Sequence, residues 1–141
     1  MSGSTMDGYF ERYGWAVEKP EPGIWRGSFA THREDEFDLY VMVGEEWVHF
    51  AVSPLVAQPD PACQGRLFAA LLRLNQQMRL VYFAVDEEGD VNLLAELPRR
   101  GFRYDHFAAA LDALTGYTDA LAHELQRTAH EPDYRSPRLP V

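Results

Sequence analysis

The sequence predicts a single α+β domain of order α-β-β-β-α-β-β-α, with three helices covering one face of a five-stranded antiparallel sheet. Three observations carry this. Apolar residues alternate at a period of two in five short segments. Short loops of hairpin length join those segments into groups of three and two, so neighbours run antiparallel. Elsewhere apolar residues recur at three- and four-residue spacing, which stacks them on one side of a helix.

The elements follow in chain order. Residues 4–13 read as a short helix with Met6, Phe10 and Tyr13 on one face; Ser4 is placed to cap it, with Asp7 completing a capping box, and Gly14 to end it. Residues 18–23 carry Pro20 and Pro22 and are expected to be a connection. Three strands are expected next, at 24–31, 37–43 and 47–53. In the first, Trp25 and Phe29 share a side. In the second, Phe37, Leu39, Val41 and Val43 face one way and Asp38, Tyr40 and Met42 the other. In the third, Val48, Phe50 and Val52 point inward. The turns fall at 32–36 and 44–46. Asp60-Pro61 starts the second helix, a capping acid followed by a proline whose missing N–H is no loss there. That helix runs to Met78 on a stripe of Leu67, Leu71, Leu74 and Met78, widened by Phe68 and Leu72. Strands at 80–86 and 91–97 flank an acidic turn at 87–90. A final helix over 103–127 carries Phe107, Leu111, Leu114, Leu121 and Leu125, with Gly116 a place for a kink. The domain is thus 1–127, and 128–141, with Pro132, Pro137 and Pro140, is expected to be a flexible tail.

Bulk properties limit the function. A chain of 141 residues suits one domain with a core that needs no metal or disulfide. Its single cysteine, Cys63, allows no internal disulfide and no multi-thiolate zinc site. No basic-then-apolar leader and no membrane-length apolar run is present, so a reducing cytoplasm is expected, with no membrane partner. A net charge of −9 sets 22 acidic residues against 13 basic ones and works against nucleic acid, which is held by basic groups on phosphates. A small basic cluster at Arg99, Arg100 and Arg103 is the local exception.

The search for chemistry yields no catalytic constellation. Cys63 at a helix start has no local histidine, and a lone cysteine of this kind reads as a small hydrophobe. The histidines, 32, 49, 106, 123 and 130, lack metal-ligand spacing. The turn Asp86-Glu87-Glu88-Gly89-Asp90 lacks the twelve-residue spacing of a calcium loop. No glycine-rich loop links a strand to a helix to cradle phosphate. No enzyme activity, cofactor or metal is therefore expected. One feature departs from an ordinary one-sided sheet, whose outer face should be polar. Here that face is to carry Tyr40, Met42, Trp47, His49, Tyr82 and Leu94, types enriched in protein interfaces, with Asp38, Asn92 and Glu96 between them.

The stretches LLRLNQQMRLVYFAVDEEGDVNLLAELP and FRYDHFAAALDALTGYTDAL resemble the bacterial YbjN family, which is similar to type III secretion chaperones. The matching features are Leu72 and Asn75 near the end of a helix, then a two-strand hairpin around Asp86, Gly89 and Asp90. The resemblance spans residues 9–125 and implies a five-stranded antiparallel sheet with three helices in a homodimer. It further implies a cytoplasmic, chaperone-like protein that binds a client protein without ATP or chemistry. Tyr40, Met42, Trp47, His49, Tyr82 and Leu94 are the expected partner-binding residues, acting by strand addition or groove packing. The rival expectation is a small-molecule-sensing regulatory module with a pocket between sheet and helices.

Overall fold

Strands with one apolar face need a single cover, and the helices supply it. The computed structural model describes residues 1–140. Its elements run α1 (Gly3–Tyr13), β1 (Glu18–Glu21), β2 (Ile24–Ala30), β3 (Glu36–Val43), β4 (Trp47–Val56), α2 (Gln64–Gln77), β5 (Tyr82–Val85), β6 (Val91–Pro98) and α3 (Tyr104–His130). The strands form one antiparallel sheet in the order β1-β2-β3-β4-β6-β5. No helix among the described residues is long and apolar enough to cross a membrane.

The sheet therefore has six strands rather than the expected five. The extra one is β1, in the stretch expected to be a connection because of its prolines. Proline cannot serve a central strand, but β1 lies at the sheet edge and pairs only with β2, with its register shifting between Glu18 and Glu21. A related difference lies in β4, which continues past Pro54 to Val56 with an irregular register between Val52 and Val56. Expected to end at Ser53, the strand absorbs its proline at that irregularity.

The core lies between the sheet and the helices. Phe37, Leu39, Val41, Val48, Phe50, Val52, Leu93 and Ala95 are buried on the inner face. They meet Met6 and Phe10 of α1, Leu67, Leu71 and Leu74 of α2, and Phe107, Leu111, Leu114 and Leu125 of α3. Phe107 sits among aromatic rings, with centroids 4.9 Å from Phe10, 5.7 Å from Tyr9 and 6.2 Å from Phe50. Helix α3 is unbroken through Gly116, where a kink had been allowed for. Leu72, expected to widen the core stripe of α2, is instead 70% exposed.

Local caps differ in detail from expectation. Ser2, not Ser4, caps α1, its hydroxyl accepting from the Thr5 N–H. Asp7 serves another purpose: its carboxylate accepts from Trp25 Nε1 at 2.8 Å and pairs with Lys19, tying α1 to β1 and β2. Gly14 ends the helix with φ +92°, a left-handed conformation open to glycine. Asp60 accepts from the Ala62 N–H and opens a short 3₁₀ turn, Pro61–Cys63, that leads into α2. At the other end α3 runs on to His130, beyond the expected Arg127. Past it, the tail folds back far enough to bury Leu139.

One side chain finishes the sheet. Asn75, on α2, donates from Nδ2 to the Phe83 carbonyl at 3.1 Å and accepts from the Phe83 N–H at 2.7 Å. It thus satisfies both backbone groups that Phe83 turns away from β6, as a neighbouring strand would. Replacing Asn75 with alanine leaves a partly buried donor and acceptor unpaired, and we expect a loss of about 1–3 kcal/mol in urea unfolding. A loss below about 0.5 kcal/mol would mean that water takes over both bonds.

Candidate protein-binding face

The face of the sheet opposite the helices is uncovered. Strand register arranges its side chains in rows. Arg26 of β2 lies opposite Tyr40 of β3, Tyr40 opposite Ala51 of β4, Ala51 opposite Leu94 of β6, and Leu94 opposite Tyr82 of β5. At roughly 4.8 Å per strand the row extends about 19 Å. A second row joins Ile24, Met42, His49 and Glu96. Trp47 stands at the start of β4 opposite Pro98. All six residues singled out from the sequence therefore point to this side, Met42 and Trp47 exposed by 45% and 44% and Tyr82 by 37%. The sequence reading missed Ile24, Arg26 and Ala51. Their only signal was alternation within strands already recognised.

The polar members of the face are held by one another. Arg26 pairs with Glu18 of the edge strand, and the Ser28 hydroxyl donates to Asp38 at 2.8 Å. Asn92 is mostly buried, and its amide donates to Asp86 at 2.9 Å. The Tyr82 hydroxyl donates to Glu96. That bond, aided by partial burial and the charge of Glu96, pushes the Tyr82 phenol up to about 12. Tyr82 is thus a neutral, oriented ring at any physiological pH.

A second exposed apolar group was not foreseen. Leu72 on α2, Leu80 before β5 and Val85 at its end are exposed around the β5 edge of the sheet. Leu72 gave no signal because leucine at a helical stripe position reads as core.

The residues considered for chemistry sit as follows. Cys63 is fully buried at the end of the 3₁₀ turn that leads into α2. His32 bonds Asp119 at 2.8 Å, and His106 accepts from the Arg103 N–H at the start of α3. Among the described residues one group of carboxylates could share a cation, Asp86, Glu88 and Asp90, with oxygens within 4.8 Å of one another. Donors of the turn and of Gln58 already engage two of them. Asp86 accepts from the N–H groups of Glu88 and Asp90, and Asp90 accepts from Gln58. This is the hydrogen-bonding pattern of a hairpin turn. A surface depression of about 690 Å³ lies at one end of the molecule, lined by residues including Met1, Trp47, Arg100 and Phe102.

Comparison with known proteins agrees with this architecture. The family model of YbjN, described as "Putative bacterial sensory transduction regulator", matches residues 4–127. No curated protein matches the sequence. Among solved structures, the HopA1–SchA chaperone–effector complex contains a chain of similar fold, with TM-score 0.60 and 13% identity over 85% of this chain and 91% of that one. In the ExoU–SpcU heterodimer from the type III secretion system of Pseudomonas aeruginosa, a chain aligns with TM-score 0.59 and 20% identity, over 90% of this chain and 98% of that one. YbjN from E. coli aligns with TM-score 0.58 and 15% identity, over 86% of this chain and 92% of that one. The fold is thus that of type III secretion chaperones and YbjN.

The bond between Tyr82 and Glu96 can be tested directly. Tyr82 has a raised folded pKa, so the stabilisation from this bond is complete below the unfolded value near 10 and is lost as pH rises through about 12. In an ultraviolet titration of phenolate, Glu96→Gln should move one tyrosine down toward 10, and Tyr82→Phe should remove that same transition. An unchanged curve in Glu96→Gln would break the assignment.

Proposed function

This chain belongs to the YbjN family, and from that footing we propose that it is a non-catalytic, chaperone-like protein that binds a client protein through its bare sheet face, as a homodimer. The observation that carries the reading is the unbroken cross-strand row on that face, flanked by Met42 and Trp47. Tyrosine and tryptophan bury large area at little entropy cost and, with methionine, are enriched in protein interfaces. The likeness in fold to chains solved in chaperone–effector and heterodimeric complexes supports a protein as the client. The acidic charge supports a protein over a nucleic acid.

Both sheet edges argue for binding by side chains over strand addition. At β5, the outward backbone groups of Phe83 are already paired with Asn75. At β1, Pro20 lacks an N–H, and Glu18, Lys19 and Glu21 are exposed charges. A client accordingly lies across the face, with its apolar side chains between Tyr40, Met42, Trp47, His49, Tyr82 and Leu94. In this reading the homodimer contact uses Leu72, Leu80 and Val85, which are exposed, so that one surface can serve self-association while the other serves the client. A cytoplasmic location fits the buried free thiol of Cys63.

A second reading, a small-molecule-sensing module, takes its support from the family's description and from the depression beside Trp47 and Arg100. A metabolite screen by melting shift separates the two: a ligand at 100 times its dissociation constant adds about 2.7 kcal/mol.

Two pairs of substitutions test the main reading. Trp47→Asp with Tyr82→Asp should weaken capture of the client at least about tenfold, as expected for the loss of anchor residues, while the dimer mass in sedimentation is kept. Leu72→Glu with Val85→Glu should give a monomer. A client retained at high salt by both the native protein and the first double variant would remove the face from the mechanism. A native protein that is monomeric at high concentration would remove the homodimer.

A further inference from the structure

The family match stops at residue 127, and residues 131–140 follow the end of α3 without regular structure. Residues 131–140 are nevertheless held in place. Arg66, in the first turn of α2, donates to the carbonyls of Pro132 at 2.8 Å and Tyr134 at 3.3 Å. The Tyr134 hydroxyl donates to Glu124 of α3, and its ring lies 3.7 Å beneath the Arg127 guanidinium. Five residues on, Leu139 is 93% buried and joins the hydrophobic core, as its 7% exposure records. Between these anchors Arg135, Pro137 and Arg138 are exposed. The pattern is that of a bound peptide: an irregular segment, two side-chain anchors, and backbone carbonyls met by a guanidinium.

We propose that residues 131–140 are a detachable intramolecular ligand. The crevice they fill, between the start of α2 and the end of α3, is then a docking groove for an irregular partner segment of the same chemistry, a tyrosine followed five residues later by a leucine. The two Arg66 bonds read the partner's backbone, Glu124 and Arg127 its tyrosine, and the leucine fills the site of Leu139. This groove lies on the helical side of the sheet and is independent of the bare-face reading. The segment is irregular, most of its residues are exposed, and it carries no ladder hydrogen bonds. Such segments are the first to open in a folded protein. A tethered segment acts at an effective concentration on the order of millimolar, so a partner displaces it only by binding more tightly or when local concentration is high.

The probe is a fluorescein-labelled peptide of residues 131–140, added to full-length protein and followed by anisotropy. In the native chain the groove is occupied. In the tail-released variant Tyr134→Ala with Leu139→Asp it is open, and the peptide should bind at least about tenfold more tightly than to the native chain. Adding Arg66→Ala to the released variant should weaken that binding about tenfold, the effect of losing charge-assisted bonds. No binding to a released variant whose circular dichroism is native overturns the proposal, as does equal binding with and without Arg66. A native chain that is dimeric only while its tail is intact also overturns it, because the tail would then belong to a second copy. Should the released variant not fold, trypsin decides: Arg66→Ala alone should speed cleavage after Arg135 and Arg138 about fivefold or more over the native chain, and unchanged cleavage overturns the proposal.

Discussion

The structure depends on the grip of α3 on β4 and β6. This helix lays Phe107, Leu111 and Leu114 over the middle of the sheet, and Phe107 meets Phe50 from below and Phe10 of α1 from the side. Tyr13 of α1 also donates to Asp112 of α3, so the short helix is positioned by the long one. Because α1, α2 and α3 all gather on one side, the other face of the sheet is left uncovered. The exposure of Met42 and Trp47 is thus a consequence of where the helices pack, not a defect in patterning. In a sheet covered on both faces the same strands would have needed near-continuous apolar runs. The alternation in β3 already excludes that arrangement.

Much of this was legible in the sequence because period-two and period-3.6 patterns are local. The inward sets of β3 and β4, the stripe of α3 and the turn at Gly89 follow from residues near one another in the chain. The six residues of the bare face were legible for the same reason. What escaped was decided at longer range. Whether Pro20 ends a strand or borders a sheet depends on the strand's place in the sheet, and β1 lies outermost. Whether Leu72 is core or surface depends on how α2 is rotated against β5, which the chain's pattern does not encode. Ser2 and Ser4 are equally good caps by type; Ser2 takes the position, and Asp7 meets Trp25 across the fold instead of closing a capping box. The extension of α3 to His130 follows from Thr128 and Ala129, whose burial no local rule required.

The two sides of the molecule also differ in how order is maintained. On the helical side, large side chains interlock and leave few choices. On the bare side, order comes from pairs of polar groups, Arg26 with Glu18, Ser28 with Asp38 and Tyr82 with Glu96, set among apolar side chains. Such pairs fix ring orientation at little energetic cost, since exposed ion pairs are worth little by themselves. In the proposed binding mode a partner would meet side chains that are already arranged, which reduces the ordering entropy of association.

The closed edges have a consequence for what happens when this protein is concentrated. An apolar face invites neighbouring molecules to stack, and open strand edges would let such stacks grow into cross-β fibres by backbone pairing. Here Asn75 occupies the Phe83 groups at one edge, and Pro20 with its charged neighbours blunts the other. Backbone pairing at either edge is thereby hindered, and stacking of the faces is opposed by the mutual repulsion of molecules carrying a charge of −9. An exposed apolar face thus sits between edges that disfavour the growth of cross-β stacks.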